Sequence, residues 1–404
     1  SDIDPFQIPG EPKMTTRATG LAGVPAAEVD DLESRYSYQV PYVPDVDAFV
    51  DSVLRKTVIP YQVEVQPGRI SGKNLCWLPC SYCYGGSTDQ AGERLTPERY
   101  TDLIRQMAAG PHGGTRKIIF AGYATDPLNY EHIEDIVETA LDNRQITGFN
   151  TKALRVSDRL VGLLSAPDTV STSYFNISVD AGSTETYNVV HGVRSKTDMY
   201  GKVLDNIRRI SAARDANGAA RDLSVSYLLT RVNNTEHEVE NAIRDIADAG
   251  ADLIRFTFPQ LPRGKDTNKD TIIPNREEVR SIYERLAPLI GNFDSGRTRV
   301  LMLDTDAKFR VVPRRILPCL ARFVFPTVGF DGHMYHCSQS SAPQFRGMAL
   351  GNLQVRDFWD AFYDYDTERF WDSMARDAYT KMERLDCRCD RKEQCVNTLF
   401  KDYL

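Results

Sequence analysis

Predicted strands and helices alternate through the middle of this 404-residue chain, and the alternation limits its fold more than any other feature. Short segments rich in Val, Ile, Phe and Tyr predict strands at 61–65, 117–121, 174–180, 223–229, 253–258 and 299–303. Segments with apolar residues at helical spacing predict helices at 97–109, 133–141, 201–213, 236–249 and 276–289. Strands that are joined through helices pair in parallel, with right-handed crossovers. We therefore predict an α/β fold, a partial (β/α)6 TIM-like barrel with its chemistry at the carboxyl ends of the strands.

The two ends of the chain differ in composition from this middle part. Residues 1–60 are rich in Pro, Gly and Asp and have weak periodicity, apart from a short helix predicted near 45–55. From about residue 315 the sequence is rich in Cys, Gly, aromatic residues and turns. We therefore predict an N-terminal extension over 1–60, the barrel over 61–314 and a small cysteine-rich α+β domain over 315–404.

Charge and hydropathy argue against several classes of protein. The formal net charge is −7, from 49 Lys and Arg against 56 Asp and Glu, which does not favour a basic surface for nucleic acid. No apolar run approaches the roughly 18 residues of a membrane-spanning helix. The first residues lack the basic segment and apolar core of a secretory signal. We therefore expect a cytoplasmic protein that has neither nucleic acid nor membrane as a partner.

The eight cysteines fall into two groups, separated by a long segment without any. Cys76, Cys80 and Cys83 stand in one short loop after the first predicted strand, with the spacing C-x3-C-x2-C. Thiolates are the natural ligands of iron–sulfur clusters, and three of them leave the fourth iron of a cubane open to a substrate or cofactor. The alternatives are three buried thiols or a zinc site. A zinc site normally has a fourth Cys or His ligand close to the other three, and the nearest His is His112.

The C-x3-C-x2-C loop resembles the signature loop of the radical S-adenosylmethionine (radical SAM) enzymes. The resemblance implies a [4Fe-4S] cluster on Cys76, Cys80 and Cys83, with S-adenosylmethionine bound at the open iron. It further implies reductive cleavage of S-adenosylmethionine and abstraction of a substrate hydrogen atom by the 5′-deoxyadenosyl radical. Such an enzyme needs an electron donor, such as a flavodoxin or a ferredoxin.

The resemblance covers roughly residues 61–400 and reaches the ends of the predicted strands. The segment 120–127 resembles the family's Gly-Gly-Glu-Pro segment, although only Gly122 and Pro127 match it clearly. The resemblance implies cofactor contacts for Tyr82, Gly122, Tyr123, Thr125, Asp126, Thr151, Ser178, Asp180, Arg194, Asn233 and Phe256. The alternative for these residues is an ordinary structural role, such as a Gly-Pro turn, a surface charge at Arg194 or core packing at Tyr82.

The second group of cysteines is similar to the SPASM/twitch extension of radical SAM enzymes, which carries auxiliary iron–sulfur clusters. Five cysteines fill one four-ligand cluster and leave one thiol over. We assign an auxiliary [4Fe-4S] cluster to Cys319, Cys337, Cys387 and Cys395, with a zinc site as the alternative. Cys389 is then the spare thiol, because two ligands at C-x-C spacing are awkward for one cubane. It is either structural or a catalytic hydrogen-atom donor.

The sequence leaves the reaction after hydrogen abstraction open. An auxiliary cluster that accepts the substrate's electron gives dehydrogenation or a peptide cross-link, whereas a thiol that donates a hydrogen atom gives epimerisation. We expect a small, hydroxyl-rich substrate such as a sugar or an aminocyclitol, in the biosynthesis of a natural product. The alternative is a peptide maturase that forms a cross-link or an epimer. A more remote alternative is a non-catalytic iron–sulfur or zinc protein, which would not bind S-adenosylmethionine.

Overall fold

The computed structural model describes residues 43–70, 76–83, 93–123, 125–194, 197–259, 272–293, 296–303, 318–385, 387, 389 and 391–400. Most of the predicted N-terminal extension lies outside these residues. Its predicted helix is confirmed as α1 (Val46–Leu54), which begins where the Asp45 carboxylate accepts the Ala48 backbone N–H at 2.9 Å.

The described strands form one open sheet with a parallel part and a short antiparallel part. The parallel strands that follow one another across the sheet are β1 (Val63–Val65), β2 (Lys117–Phe120), β3 (Ile146–Thr151), β4 (Ser173–Ser178), β5 (Arg221–Leu228), β6 (Leu253–Thr257) and β7 (Arg299–Met302). On the other side of β1 lie β8 (Thr327–Val328), β9 (His333–Tyr335) and β10 (Gly351–Asn352). β8 pairs in parallel with β1, and β9 pairs antiparallel with both β8 and β10. The predicted α/β fold with a partial barrel is confirmed, with β7 and β10 at the two edges.

Helices connect the parallel strands. They are α2 (Pro97–Ala108), α3 (Ile133–Asp142), α4 (Asp158–Leu164), α5 (Thr184–His191), α6 (Met199–Asn217), α7 (Glu236–Asp248) and α8 (Arg276–Gly291). The apolar spacing that predicted them is also their buried face, as in α7, where Val239, Ala242, Ile243 and Ile246 are fully buried. No helix in the described part of the chain is long and apolar enough to cross a membrane.

The sheet has a hydrophobic ladder and a polar ladder, because neighbouring residues of a strand point to opposite faces. Phe149 of β3 packs against Phe120 of β2 and Phe175 of β4, with ring centroids 5.1 and 5.2 Å apart. The next residues along, Asn150 and Asn176, form a polar ladder, in which Asn176 Nδ2 donates to Asn150 Oδ1 at 3.2 Å. One face of the sheet is thus close-packed, and the other carries hydrogen-bonding side chains that suit a polar ligand.

Strand β3 and helices α4 and α5 were not predicted as elements from the sequence. β3 contains Gly148, which weakens a strand signal. A Cβ at Gly148 would lie 2.4 Å from the Tyr174 ring on β4, so glycine is needed there for the ring to pack. Gly148 therefore weakens the sequence signal of β3 and also allows β3 to pack against Tyr174 of β4.

The cysteine-rich C-terminal segment packs directly against the first helix of the barrel. Helix α9 (Phe358–Phe362) carries Trp359, whose Nε1–H donates to the Gln106 carbonyl oxygen at 2.6 Å. Arg99 on α2 donates to the Leu353 carbonyl oxygen at 2.7 Å. Helices α10 (Phe370–Tyr379) and α11 (Arg391–Thr398) complete the segment. Since β8 to β10 also extend the sheet, the predicted domain boundary near 314 stays a prediction.

Candidate functional site

The first group of thiols lies in the loop that follows β1, at the carboxyl end of the parallel strands. Cys76, Cys80 and Cys83 are half-buried and free of disulfides. Burial raises the pKa of Cys80 to about 12, and burial together with the charge of Asp126 raises that of Cys76 to about 11. The neighbouring thiols add to both shifts, so the three sulfurs lie within electrostatic reach of one another. Three thiolates this close would repel one another, and a shared iron centre relieves that repulsion. The donor set therefore fits an iron–sulfur cluster.

A buried histidine holds the middle cysteine. The His191 Nε2–H donates to the Val179 carbonyl oxygen at 3.0 Å, so the unprotonated Nδ1 faces Cys80 Sγ, 3.2 Å away. Burial lowers the pKa of His191 to about 3, which keeps the ring neutral. Gly192 follows with φ +66, and a Cβ there would lie 2.7 Å from the Pro79 carbonyl oxygen. The end of α5 therefore presses directly on the cysteine loop. The sequence analysis missed the His191–Cys80 contact.

A buried ion pair lies beneath the same loop. Asp180, just beyond β4, has no solvent exposure, and its Oδ2 accepts from Lys152 Nζ at 2.8 Å and from the Tyr82 hydroxyl at 2.5 Å. Lys152 also donates to the Tyr82 hydroxyl. The other oxygen, Oδ1, accepts the Leu228 backbone N–H at 2.7 Å. Burial alone would raise the pKa of Asp180, but the Lys152 ammonium and the hydrogen bonds from Lys152 and Tyr82 bring it below its usual value. The carboxylate therefore stays ionised and joins three strand ends to the cysteine loop.

A second buried carboxylate anchors the loop after β2. Asp126 accepts the Thr151 hydroxyl at 2.7 Å and the backbone N–H groups of Leu128 and Lys152 at 2.9 and 2.7 Å. Burial raises its pKa despite these donors. Close by, Asn129 Nδ2 donates to Cys76 Sγ at 3.7 Å. Asp126 and Thr151, two predicted cofactor contacts, are thus brought together beside the first cysteine.

Other predicted contacts line the same region. Gly122 opens a tight turn, in which an added Cβ would lie 2.0 Å from the Thr125 carbonyl oxygen. Ser178 lies on the polar ladder, with its hydroxyl 3.4 Å from that of Ser226 on β5. Tyr123 is partly buried against Phe330, in the hairpin turn before β9. These residues lie at strand ends, where the sequence analysis placed them.

Three predicted contacts are placed differently. Arg194 is exposed just beyond α5. Asn233 is fully buried, where its Nδ2 donates to the carbonyl oxygens of Asp180 and Leu228 at 2.8 and 2.9 Å and its Oδ1 accepts the Thr230 N–H. Phe256 is fully buried against Tyr227, with ring centroids 4.8 Å apart. The polar atoms of Asn233 are hydrogen-bonded within the chain, and the ring of Phe256 is part of the core.

The second group of thiols is gathered by the C-terminal segment. Cys389 is hydrogen-bonded to Cys387. The pKa of Cys389 is raised well above the usual range by this bond, by burial and by the nearby Cys319 and Cys337. Cys389 is therefore a neighbour of Cys387 and lies within electrostatic reach of Cys319 and Cys337. The side chain of Cys395, on α11, lies outside the described residues. Which of the thiols is spare stays a prediction.

A buried lysine accompanies these thiols, and the sequence analysis did not predict it. Lys381 is 2% exposed and donates to Cys319 Sγ at 2.9 Å. Its burial lowers the pKa, but Cys319, Cys387 and Cys337 bring it above its usual value, so the ammonium stays charged. Lys381 lies in a π-helical turn over Thr380–Arg384, a geometry that often marks functional sites. It supplies one positive charge to a group of buried sulfurs.

Among the described residues, no three His, Cys, Asp or Glu side chains are grouped so that they could hold one metal ion. The choice between iron–sulfur clusters and the zinc sites considered from the sequence stays a prediction.

One hydrophobic cluster joins the loop after β2 to the second group of thiols. Its buried members are Tyr335, Ala342 and Phe345. Tyr123, from the loop after β2, and Cys387, from the second group of thiols, both pack against it. The C-terminal thiols are thus packed, through this cluster, against a loop at the carboxyl end of the barrel strands.

Part of the barrel is similar to a known family. Residues 70–246 match the Radical SAM superfamily. A curated relative is the sporulation killing factor maturation protein SkfB of Bacillus subtilis (strain 168), which is 24% identical over 182 residues. That match covers 45% of this chain and 40% of SkfB, so the chain spans about two fifths of this relative's length. The radical SAM resemblance inferred from the cysteine loop is confirmed.

Solved structures confirm the fold over a larger part of the chain. Streptococcus suis SuiB bound to S-adenosylmethionine superposes with a TM-score of 0.55 at 12% identity, over 85% of this chain and 77% of SuiB. Native anSMEcpe with bound AdoMet superposes with a TM-score of 0.52 at 15% identity, over 78% of this chain and 83% of that one. At these identities the likeness concerns the fold alone.

The buried ion pair yields a prediction for stability. Asp180→Asn leaves the Lys152 ammonium buried without its carboxylate, so we expect the free energy of unfolding to fall by about 3 kcal/mol. Replacing both partners (Asp180→Asn with Lys152→Met) should recover part of this loss, because the unpaired charge is gone. Urea denaturation under anaerobic conditions measures both values.

Asp205→Asn is the matched control, because it breaks the exposed Arg208–Asp205 pair on α6. It should change the free energy of unfolding by less than about 0.5 kcal/mol. Strictly additive losses in the Asp180 and Lys152 variants would contradict the coupling.

Proposed function

We propose that this chain is a radical SAM enzyme that modifies a peptide. The relatives support a peptide substrate: SuiB has been solved bound to the precursor peptide SuiA, and anSMEcpe bound to AdoMet and the Kp18Cys peptide. SkfB is a maturation protein of the sporulation killing factor. These relatives favour the peptide maturase, the alternative in the sequence analysis, over a sugar or an aminocyclitol.

Cys76, Cys80 and Cys83 would hold the [4Fe-4S] cluster that binds S-adenosylmethionine. When bound, the two together supply reductive cleavage of S-adenosylmethionine and abstraction of a hydrogen atom from the substrate. The chain's own residues would position the cysteine loop and hence the bound cluster. His191 orients Cys80, Asn129 donates to Cys76, and Tyr82 ties the loop to the Lys152–Asp180 pair. A loop fixed at several points holds the reacting groups in one geometry, on which selective hydrogen abstraction depends.

We retain as proposed contacts with S-adenosylmethionine the predicted residues that lie beside this loop or on the polar ladder. They are Tyr82, Gly122, Tyr123, Thr125, Asp126, Thr151, Ser178 and Asp180. Arg194, Asn233 and Phe256 are less suited to this role, because the first is exposed and the other two are satisfied within the chain.

For the auxiliary cluster we propose Cys319, Cys337, Cys387 and Cys389 as ligands. In this proposal Cys389 takes the place of Cys395 because it is hydrogen-bonded to Cys387, another proposed ligand. If Cys389 is a ligand, it is no longer available to donate a hydrogen atom, so oxidation of the peptide is favoured over epimerisation. The auxiliary cluster held by these cysteines would supply an electron acceptor. The substrate would then lose one hydrogen atom, one electron and one proton, which amounts to removal of two hydrogens. A cross-link between two residues has this balance.

The observation that carries the proposal is the hydrophobic cluster that joins the loop after β2 to the second group of thiols. Tyr123 reaches this cluster from the side of the barrel loops, and Cys387 reaches it from the C-terminal segment. A peptide held near Tyr123 would have the site of hydrogen abstraction on one side and an electron acceptor on the other.

The choice between Cys389 and Cys395 yields a prediction for iron content. The reconstituted protein should bind about eight irons, in two four-iron clusters. Cys389→Ser should lower this to about four irons, because a ligand is lost. Cys395→Ser, the matched control on α11, should keep about eight. Iron assay together with Mössbauer spectra measures both. The reverse result, with iron lost only in Cys395→Ser, would restore the assignment made from the sequence.

The substrate class is tested by mass spectrometry after anaerobic turnover with reductant and S-adenosylmethionine. Candidate substrates are short peptides encoded beside the gene, together with a panel of sugars and aminocyclitols. We expect 5′-deoxyadenosine and a peptide lighter by two hydrogens. In heavy water, epimerisation would instead add one deuterium to a peptide of otherwise unchanged composition. Turnover of a sugar or an aminocyclitol, with no change in any peptide, would refute the peptide proposal.

A further inference from the structure

We propose that Arg69, Trp77 and Arg155 form a docking surface for an acidic protein that donates single electrons. The inference rests on the proposed function, because only a reducible cluster in the cysteine loop needs such a donor. These three residues, the Arg–Trp–Arg surface, lie outside the set of residues assigned above to the thiols and the cofactor.

The geometry of this surface is specific. Trp77 directly follows Cys76 in the chain and is 46% exposed, which is unusual for the largest apolar side chain. The guanidinium carbon of Arg155 lies 4.7 Å from the Trp77 ring centroid, and that of Arg69 lies 5.5 Å away. Both distances are within the range of cation–π contacts. Arg69 comes from the segment after β1 and Arg155 from the segment after β3, so two separate loops converge on the ring.

The residue types of this surface are typical of protein–protein interfaces. Trp and Arg are the side chains that most often dominate the energy of an interface. The cation–π contacts hold the indole in place while it is exposed, which reduces the entropy lost when a partner covers it. Ile70, next to Arg69, is 45% exposed and adds apolar area. The backbone N–H of Ile70 donates a hydrogen bond to the carboxylate of Glu131 at 2.9 Å.

Charge selects the kind of partner. The whole chain has a net charge of −7, so an acidic protein is repelled by most of its surface. Two guanidinium groups lie against Trp77 in the Arg–Trp–Arg surface, and a guanidinium stays charged at any physiological pH. An acidic donor is therefore steered toward the segment that carries Cys76. Docking there shortens the electron's path, since Trp77 and Cys76 are adjacent residues.

Stopped-flow reduction of the reconstituted protein tests the inference with two reductants. A bacterial flavodoxin hydroquinone serves as the acidic protein donor, and dithionite as the small donor that needs no docking surface. In Arg69→Gln/Arg155→Gln we expect the flavodoxin concentration for half-maximal rate to rise about tenfold, with a weaker dependence on salt. The rate with dithionite should not change. Arg69→Lys/Arg155→Lys keeps both charges and should recover much of the flavodoxin rate, and Arg208→Gln on α6 is the surface control.

The outcomes separate this inference from the proposed function. Unchanged flavodoxin kinetics in Arg69→Gln/Arg155→Gln, with normal dithionite reduction, would overturn the docking surface and leave the radical chemistry standing. Loss of peptide binding without any change in flavodoxin kinetics would assign the surface to the substrate and would also overturn the inference. If dithionite fails to reduce the unaltered protein, the proposed function fails and the docking surface fails with it.

Discussion

The buried pair of Lys152 and Asp180 is the interaction on which the carboxyl end of this barrel depends. Lys152 follows β3, Asp180 follows β4, and the Leu228 N–H that binds Asp180 belongs to β5. Tyr82 connects the same carboxylate to the cysteine loop. Burying two charges is costly, and the cost is offset only when each charge finds several partners. Here the partners come from separate elements, so the ion pair holds the strand ends and the cysteine loop in one arrangement.

The rest of the site follows from this fixed frame. Asp126 anchors the loop after β2 through the Thr151 hydroxyl, and His191 holds Cys80 from the end of α5. The polar ladder of Asn150 and Asn176 continues from the strand ends into the sheet. The second group of thiols is attached to this frame through the hydrophobic cluster and through the contact of Trp359 with Gln106. Under the proposed function, this frame would hold the electron acceptor at a defined position relative to the site of hydrogen abstraction.

The sequence predicted the parts of this structure that leave local signals. Spacing identified Cys76, Cys80 and Cys83, and periodicity identified α2, α3, α6, α7 and α8, because both patterns are properties of neighbouring residues. The strand β3 was missed because Gly148 interrupts its apolar pattern, although the glycine only makes room for Tyr174. Lys152, His191 and Lys381 were missed as parts of the sites because their roles come from residues distant in the chain. The choice between Cys389 and Cys395 could not be made from C-x-C spacing, since the path of the C-terminal segment decides which sulfur reaches the others.

The central claim is that Cys76, Cys80 and Cys83 hold a cluster with one iron open to S-adenosylmethionine. Electron paramagnetic resonance of the reduced protein tests it most directly, using S-adenosylmethionine labelled with ¹⁵N in the amino group and ¹⁷O in the carboxylate. We expect the cluster signal to change on addition of S-adenosylmethionine and to show hyperfine coupling to both labels, because the open iron binds these groups. The triple Ala variant of the three cysteines should lose this signal and keep that of the auxiliary cluster. A reduced protein whose signal is unaffected by S-adenosylmethionine, or a preparation that contains only zinc, would contradict the account.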